Sequence, residues 1–146
     1  MKTVLFLCTG NYYRSRLAEL YFNHVAQERK VPWRAESRGL RITPSNAGPL
    51  SPHTRAWLMK QSINPEEPHR MPIPAKEADF WAADHIVAVK EAEHREIMQE
   101  FFPHWADRVQ YWHIHDLDAA TPDLAIPELV SHVDNLFARL TAQADK

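Results

Sequence analysis

The chain has 146 residues, of which 45% are hydrophobic and 25% charged, and its formal net charge is -2 at pH 7. That length suits one sizeable core, so we expect a single domain over residues 1–146. The charge argues against nucleic-acid and anionic-membrane partners, because both call for a basic surface. No apolar run reaches the roughly 18 residues of a transmembrane helix, and the short N-terminal run lacks a signal-peptide cleavage site. The single cysteine fits a reducing compartment, so we expect a cytoplasmic protein.

Four short apolar segments are predicted to be strands, at residues 3–8, 33–37, 85–89 and 109–114. The first is continuously apolar, as in a strand buried on both faces. Helical patterns lie between the strands and after them. The first follows residue 15, the second starts at the capping pair Ser51-Pro52, the third covers residues 91–101, and the last runs from Ile126 to Leu140. Alternating strands and helices imply right-handed crossovers. We therefore predict an α/β three-layer sandwich, a four-stranded parallel sheet with helices on both faces, whose site lies at the carboxyl ends of the strands.

The only cysteine stands at that edge, after the first predicted strand. A cysteine attacks as its thiolate, which the N–H groups of a loop, a following helix N-terminus and an arginine can stabilise. The same donors suit a phosphate, since the fork of Arg14 matches two oxygens, Gly10 allows close approach and Asn11 tolerates a left-handed backbone. A lone cysteine is more often an inert core thiol, but this spacing favours a nucleophile. The loop consists of Cys8, Thr9, Gly10, Asn11, Tyr12, Tyr13, Arg14 and Ser15.

Residues 4–19 resemble the active-site loop of the low-molecular-weight protein tyrosine phosphatases. That family typically reads Cys-x-Gly-Asn-x-Cys-Arg-Ser-Pro, followed by a helix containing Ala-Glu. A weaker resemblance extends over the rest of the chain, at residues 83–89 with His94, at the pair His69-Arg70, and at residues 112–116. It implies a phosphotyrosine protein phosphatase I-like fold and hydrolysis of phosphomonoesters, protein phosphotyrosine above all, without a metal or other cofactor. The matching residues in the loop and helix are Cys8, Gly10, Asn11, Arg14, Ser15, Ala18 and Glu19.

The resemblance places the general acid at Asp116, although the family normally has a proline after this aspartate and Leu117 follows here. Asp118 is the reserve candidate, and either residue can instead be a solvated loop aspartate. The implied mechanism has two steps: Cys8 attacks phosphorus while Asp116 protonates the leaving oxygen, and water then hydrolyses the phosphocysteine. Arg14 and the loop hold the substrate or inorganic phosphate. The loop residues expected to bind substrate are Thr9, Gly10, Asn11, Tyr12, Tyr13 and Ser15.

Three positions depart from the family pattern. Tyr13 replaces a second cysteine, so a protective disulfide with the nucleophile is unavailable. Arg16 replaces a proline, and we expect a solvated first-turn residue rather than a source of positive field. The tyrosine pair beyond the acid is missing, so Tyr12 or a tryptophan would have to form the pocket wall.

Other polar and aromatic residues are expected to be structural. Nine histidines include His113 and His115 on one strand face, but without further cysteines or a clear carboxylate spacing we expect no zinc site. The run at residues 91–96 is expected to be a solvated helix face. The tryptophans expected in the core or pocket wall are Trp33, Trp57, Trp81, Trp105 and Trp112.

Two other functions stay open at this point. One is an arsenate reductase-like enzyme, which would need an external thiol to resolve Cys8 because the chain has no second cysteine. The other is a non-catalytic module that binds phosphate or phosphotyrosine. Measurable turnover separates the phosphatase from the binding module, and thiol-dependent arsenate reduction would support the reductase.

Overall fold

A computed structural model of the chain describes residues 1–43, 46, 48–65, 70–116 and 120–144, with side chains through residue 142. Its four strands are parallel and lie in the order β2-β1-β3-β4, with helices on both faces, which confirms the predicted three-layer α/β fold. Within the described ranges, no helix has both the length and the apolar character needed to cross a membrane. The elements are β1 Lys2–Cys8, α1 Arg14–Arg29, β2 Trp33–Gly39, α2 Pro52–Lys60, α3 Glu77–Ala82, β3 His85–Ala88, α4 Glu91–Phe101, β4 Gln110–Tyr111 and α5 Pro122–Ala144.

Strand β1 lies in the middle of the sheet and is buried from Val4 to Cys8. Because strand side chains alternate between faces, Val4, Phe6 and Cys8 join the core cluster formed with α1 and α5. Leu5 and Leu7 join the opposite cluster, which contains residues of α3 and α4. Both faces are thus covered, which explains why β1 reads as a continuous apolar run.

The fourth strand is much shorter than predicted. Residues 109–114 were expected to be a strand, but regular pairing covers only Gln110–Tyr111. Further along, Trp112 N–H donates to the Ala88 carbonyl at 2.9 Å and Ile114 N–H donates to the Val89 carbonyl at 2.7 Å. The predicted length was therefore wrong. Residues after Tyr111 still form backbone hydrogen bonds with the end of β3 and the residue after it, but they no longer follow the regular pairing of a strand.

The first three strands and α4 were predicted within two residues, whereas α5 extends four residues further at each end than the predicted stretch from Ile126 to Leu140. The Ser51 cap is confirmed, since its hydroxyl accepts a hydrogen bond from His53 N–H at 3.2 Å. Helix α3 was not predicted, because six residues with only Phe80 buried are too few to show a helical period.

The tryptophan prediction holds except at one position. Trp33, Trp105 and Trp112 are buried, and Trp57 packs against the core from a half-buried position. Trp81 is 68% exposed, so its assignment to the core or the pocket wall was wrong. It lies on the outer side of α3, where its ring packs against Trp105.

Candidate active site

Strand β1 delivers Cys8 to the carboxyl edge of the sheet, and α1 begins six residues later at Arg14. Between them Asn11 adopts φ 52°, the left-handed conformation expected of a tight loop. Its backbone N–H donates to Cys8 Sγ at 3.2 Å, and Ser15 Oγ lies 2.9 Å from the same sulfur. Two donors are therefore positioned to hold a thiolate.

The Asn11 side chain lies behind the loop and is fully hydrogen-bonded. Its Nδ2 donates to Ser15 Oγ and to Ser37 Oγ, both at 2.9 Å. Its Oδ1 accepts from Arg70 Nη1 and from Ile73 N–H, both at 3.0 Å. These four bonds use the whole capacity of the amide, and they fix the loop on the side away from solvent.

The front of the loop opens onto a cavity of about 160 Å³. It brings together the three residues predicted to be catalytic, Cys8, Arg14 and Asp116. A Cβ on Gly10 would lie 3.0 Å from Asn46 Nδ2, so the glycine keeps this opening clear. The full lining is Cys8, Gly10, Tyr12, Tyr13, Arg14, Asn46, Ser51 and Asp116.

Arg14 is held by a carboxylate that sequence reasoning missed. Arg14 is 2% exposed; its Nη2 lies 2.9 Å from Glu93 Oε2, and its Nη1 donates to the Ile114 carbonyl at 3.0 Å. Burial by itself lowers the pKa of Arg14, but the nearby Cys8, Glu93 and Asp116 outweigh that effect and raise the pKa. Arg14 is therefore a permanent, oriented cation in the cavity wall.

Thr9 and His94 hold Glu93 from its other side. The Thr9 hydroxyl donates to Glu93 Oε2, and His94 Nε2 lies 3.0 Å from that oxygen. His94 Nδ1 accepts from Lys90 N–H at 3.1 Å, so the proton of the neutral ring is on Nε2, facing Glu93. Burial works to raise the pKa of Glu93, but the donors His94, Arg14 and Thr9 bring it well below its ordinary value. Burial lowers the pKa of His94, although Glu93 opposes this shift.

The expectation of a solvated helix face at residues 91–96 was wrong for its two central residues. His94 is fully buried and Glu93 contacts Arg14, whereas Glu91 pairs with Arg95 at 2.8 Å on the outer side of α4. One sequence signal was available. Helix α4 follows β3 at the same sheet edge as Cys8, so its first turn faces the loop.

Asp116 lies at the mouth of the cavity. Its side chain is 43% exposed, and its Oδ2 lies 3.5 Å from Arg14 Nη2. A half-exposed carboxylate at this place can exchange protons both with a bound substrate and with water. The reserve candidate Asp118 lies outside the described residues. A second, open groove also reaches Asp116; its other lining residues are Thr9, Arg41, Ala92, Glu93, Glu96, Ile97 and Glu100.

Arg16 was expected to be solvated, and this was wrong, since it is 1% exposed. Its Nη1 lies 2.8 Å from Glu19 Oε1, which is buried one turn further along α1. The same oxygen lies 3.0 Å from Arg70 Nη2 and accepts a hydrogen bond from the Ser37 hydroxyl. A buried charged cluster thus lies behind the loop. His69, predicted beside Arg70, is outside the described residues.

The histidines do not form a metal centre in the part of the chain that the structure describes, where no three His, Cys, Asp or Glu residues are grouped to hold an ion. His113 is 70% exposed and His94 is a core residue, as the structural interpretation expects. His53 packs its ring against Tyr13 at a centroid distance of 6.4 Å.

Residues 3–145 match the family model described as "Low molecular weight phosphotyrosine protein phosphatase". The chain belongs to this family. A relative from Bacillus subtilis named protein-arginine-phosphatase is 27% identical over 106 residues, which are 73% of this chain and 67% of that protein. The crystal structure of YfkJ from the same species has a TM-score of 0.85 at 19% identity, covering 98% of this chain and 96% of that one. A serine mutant of the YwlE arginine phosphatase, solved with its active-site serine phosphorylated, has a TM-score of 0.75 at 22% identity, covering 99% and 96%.

Two aromatic residues of the loop lie at the cavity. Tyr12 and Tyr13 both contribute to the cavity lining. Tyr13 is 6% exposed and occupies the position at which the family resemblance leads one to expect a second cysteine.

Proposed function

We propose that this phosphatase-family protein hydrolyses protein phosphotyrosine through a phosphocysteine on Cys8, with Asp116 as general acid and base. One observation carries the proposal: the Cys8 sulfur, the Arg14 guanidinium and the Asp116 carboxylate line the same cavity. The match to the family model over residues 3–145 supports it. We take residues 1–146 to be one catalytic domain.

In the first step the Cys8 thiolate attacks phosphorus. The S–P bond forms as the P–O bond to the leaving group breaks, and protonated Asp116 gives its proton to the departing oxygen. Arg14 and the N–H groups of the loop hold the equatorial oxygens. Because Glu93 and the Ile114 carbonyl already fix Arg14, its orientation costs little when substrate binds.

In the second step water attacks the phosphocysteine. Asp116, now a carboxylate, takes the proton of that water, the S–P bond breaks, and inorganic phosphate leaves with the thiolate restored. The Ser15 hydroxyl at 2.9 Å and the Asn11 N–H at 3.2 Å are placed to hold the leaving sulfur. The phosphorylated active-site serine of the related YwlE mutant supports a covalent phosphoenzyme of this kind.

Aromatic residues at the cavity support a phosphotyrosine substrate. Tyr12 and Tyr13 both line the cavity, and an aryl ring can pack on such aromatic surfaces. We infer that they supply the aromatic packing for which the family uses the tyrosine pair after its acid.

A second candidate substrate is protein phosphoarginine. The Bacillus subtilis relative carries the name protein-arginine-phosphatase. The open groove beside Asp116 contains Glu93, Glu96 and Glu100, and such carboxylates suit a guanidinium leaving group. Two of the proteins reported above are named arginine phosphatases, which favours neither an arsenate reductase nor a non-catalytic module.

The test compares hydrolysis of two peptides of identical sequence, one with phosphotyrosine and one with phosphoarginine. We expect Cys8→Ser to abolish phosphate release, and Asp116→Asn to lower kcat on the aryl ester by about 10²- to 10³-fold, since it removes the proton donor. Preference for the phosphoarginyl peptide would establish the second candidate. No phosphate release from either peptide, or from para-nitrophenyl phosphate, by folded wild-type protein would contradict both.

A further inference from the structure

The charged cluster behind the loop reaches the nucleophile through an uninterrupted series of hydrogen bonds. Arg70 Nη1 donates to Asn11 Oδ1 at 3.0 Å, and Asn11 Nδ2 donates to Ser15 Oγ at 2.9 Å. Ser15 Oγ in turn lies 2.9 Å from Cys8 Sγ. When Cys8 is a thiolate, the sulfur has no proton to give, so the Ser15 hydroxyl is the donor in this last contact.

Arg70 is itself fixed at its other terminal nitrogen. Its Nη2 donates to Glu19 Oε1 at 3.0 Å, to the Ser37 carbonyl at 3.1 Å and to Ser37 Oγ at 3.0 Å. The side chain is only 17% exposed, and Glu19 is 3% exposed. The Arg70 guanidinium therefore connects Glu19 of α1 and Ser37 of β2 to the side chain of Asn11, the residue of the loop with a left-handed backbone.

Several charged groups surround both ends of this series. Burial lowers the pKa of Arg70, with Glu19 and Glu36 opposing that effect and Arg16 and Arg38 adding to it. At the other end, the cavity brings Arg14 and Asp116, with Tyr12 and Tyr13, to the Cys8 side of the loop. These groups remain the same when Arg70 alone is changed, so their influence on Cys8 can be separated from that of Arg70.

We propose that Arg70 is a positioning residue for Cys8, acting through Asn11 and Ser15. The inference rests on the proposed function in that Cys8 is the nucleophile. Arg70 fixes the Asn11 amide so that its Nδ2 faces Ser15 and its backbone N–H faces the sulfur. Without that contact, the two donors to the thiolate lose their fixed orientation.

The experiment measures the rate at which iodoacetamide alkylates Cys8 between pH 4 and pH 9. The chain has no other cysteine, so one mass increment reports this residue alone. We expect Arg70→Met to move the midpoint of the pH profile upward by about one unit, which is about a tenfold slower reaction at pH values below the midpoint.

Arg38→Met is the matched control. Arg38 has the same 17% side-chain exposure and donates to the same Ser37 carbonyl, at 2.7 Å. Its carboxylate partners, Glu36 and Asp79, belong to β2 and α3 and not to the loop. We expect its alkylation profile to match that of the wild type. Equal profiles for both variants and the wild type would overturn the proposal, and so would equal shifts in both variants.

Arg70→Lys covers the case in which Arg70→Met does not fold, as judged by circular dichroism. A single ammonium group keeps the charge but cannot serve Asn11 and Glu19 from two separate nitrogens, so we expect a smaller upward shift. A wild-type profile for Arg70→Lys would then overturn the proposal. Alkylation needs no phosphate ester, so a wild type that fails to hydrolyse any phosphopeptide defeats the proposed function alone. Hydrolysis combined with an Arg70-independent profile defeats this inference alone.

Discussion

Arg14 and Glu93 form a partly buried ion pair whose members satisfy each other and the groups around them. Glu93 is 26% exposed and receives contacts from Thr9 and His94 besides Arg14. Removing one member of such a pair costs more than the pair contributes, because the other charge is left buried. The pair thus couples the orientation of the Arg14 guanidinium to the stability of the fold.

Replacing Glu93 with alanine tests this coupling. We expect Glu93→Ala to lower the free energy of unfolding by about 3 kcal/mol, since Arg14 keeps its charge and loses its counter-ion. Urea denaturation measures the change. Glu96→Ala is the control on the same helix, because Glu96 lines the groove and is exposed. Equal free energies for the two variants would contradict the prediction.

Buried His94 should make stability fall on acidification. Its pKa is lowered in the folded protein, while the unfolded chain titrates near 6.5. Below about pH 6.5 the unfolded chain therefore binds a proton that the folded one does not, and the free energy of unfolding falls by up to about 1.4 kcal/mol per pH unit until the folded pKa is reached. Denaturation curves from pH 8 to 5 should be flatter for His94→Gln, and parallel curves would contradict the assignment.

Glu93 adds a second loss at lower pH. Its pKa is lowered by folding, so its contribution is complete above the unfolded value of about 4.3 and disappears as the pH falls further. The two losses lie in different pH ranges, so denaturation at pH 6 and at pH 3.5 distinguishes them.

At the residue scale, the groups that we propose to attack and bind were identified from the sequence, whereas the contacts that hold them were not. Cys8, Arg14 and Asp116 belong to a recognisable pattern, and they meet at one cavity. The contacts of Glu93 with Arg14 and of Arg70 with Asn11 were not predicted, because they join residues that are 79 and 59 positions apart in the sequence. The prediction for Arg16 was wrong because its burial depends on tertiary structure. Its partner Glu19 is itself held by Ser37 of β2, a contact that the local sequence does not indicate.

At the scale of elements, the position of Cys8, the proposed nucleophile, depends on the close packing between the carboxyl ends of β1 and β2. Cys8 pairs with Gly39, the last residue of β2. A Cβ on Gly39 would lie 2.6 Å from Ile42 Cγ1 and 3.0 Å from the Thr9 carbonyl. Its backbone is also held by Ile73, whose carbonyl accepts from Gly39 N–H at 2.8 Å. Because the backbone is fixed and a Cβ would come too close to its neighbours, this strand end requires a glycine.

Gly39→Ala should therefore destabilise the protein by about 1–3 kcal/mol through overpacking. Gly10→Ala is the comparison: its new Cβ would meet the end of the Asn46 side chain at 3.0 Å, which can rotate away. Thermal unfolding of both variants measures the difference. A loss for Gly10→Ala as large as that for Gly39→Ala would show that the close approach at Gly39 is not the cause.

Elements with a strong period or a clear cap were predictable, and short ones were not. Strand β1 and helix α5 showed long apolar patterns, and the Ser51 cap marked the start of α2. Helix α3 and the true length of β4 depend on tertiary contacts, because neither has enough buried residues to set a period.

At the scale of the whole molecule, the sheet separates two core clusters. Cys8 belongs to the cluster with α1 and α5, and the other cluster holds Met98 of α4. Since α1 and α5 pack on the face that carries Cys8 and Phe6, the long C-terminal helix supports the sheet directly beneath the loop. Its core residues should matter for stability more than for chemistry.

Leu129→Ala tests this expectation. Leu129 is 1% exposed in the α5 core, so we expect a loss of about 2–5 kcal/mol in the free energy of unfolding. Leu124→Ala, on the same helix at 70% exposure, should change it by less than about 0.5 kcal/mol. Chemical denaturation gives both values, and similar losses would contradict the placement of α5.

The Ile114 carbonyl limits the distance between the backbone of Asp116 and the side chain of Arg14. It accepts from Arg14 Nη1 at 3.0 Å, and Asp116 follows only two residues later. Two extended residues span about 7 Å, so while that hydrogen bond holds, the backbone of Asp116 stays within one short radius of Arg14. In the proposed mechanism, the proton donor is thus linked by two residues to the cation that would bind phosphate, and a large lid movement is not needed to bring the two together.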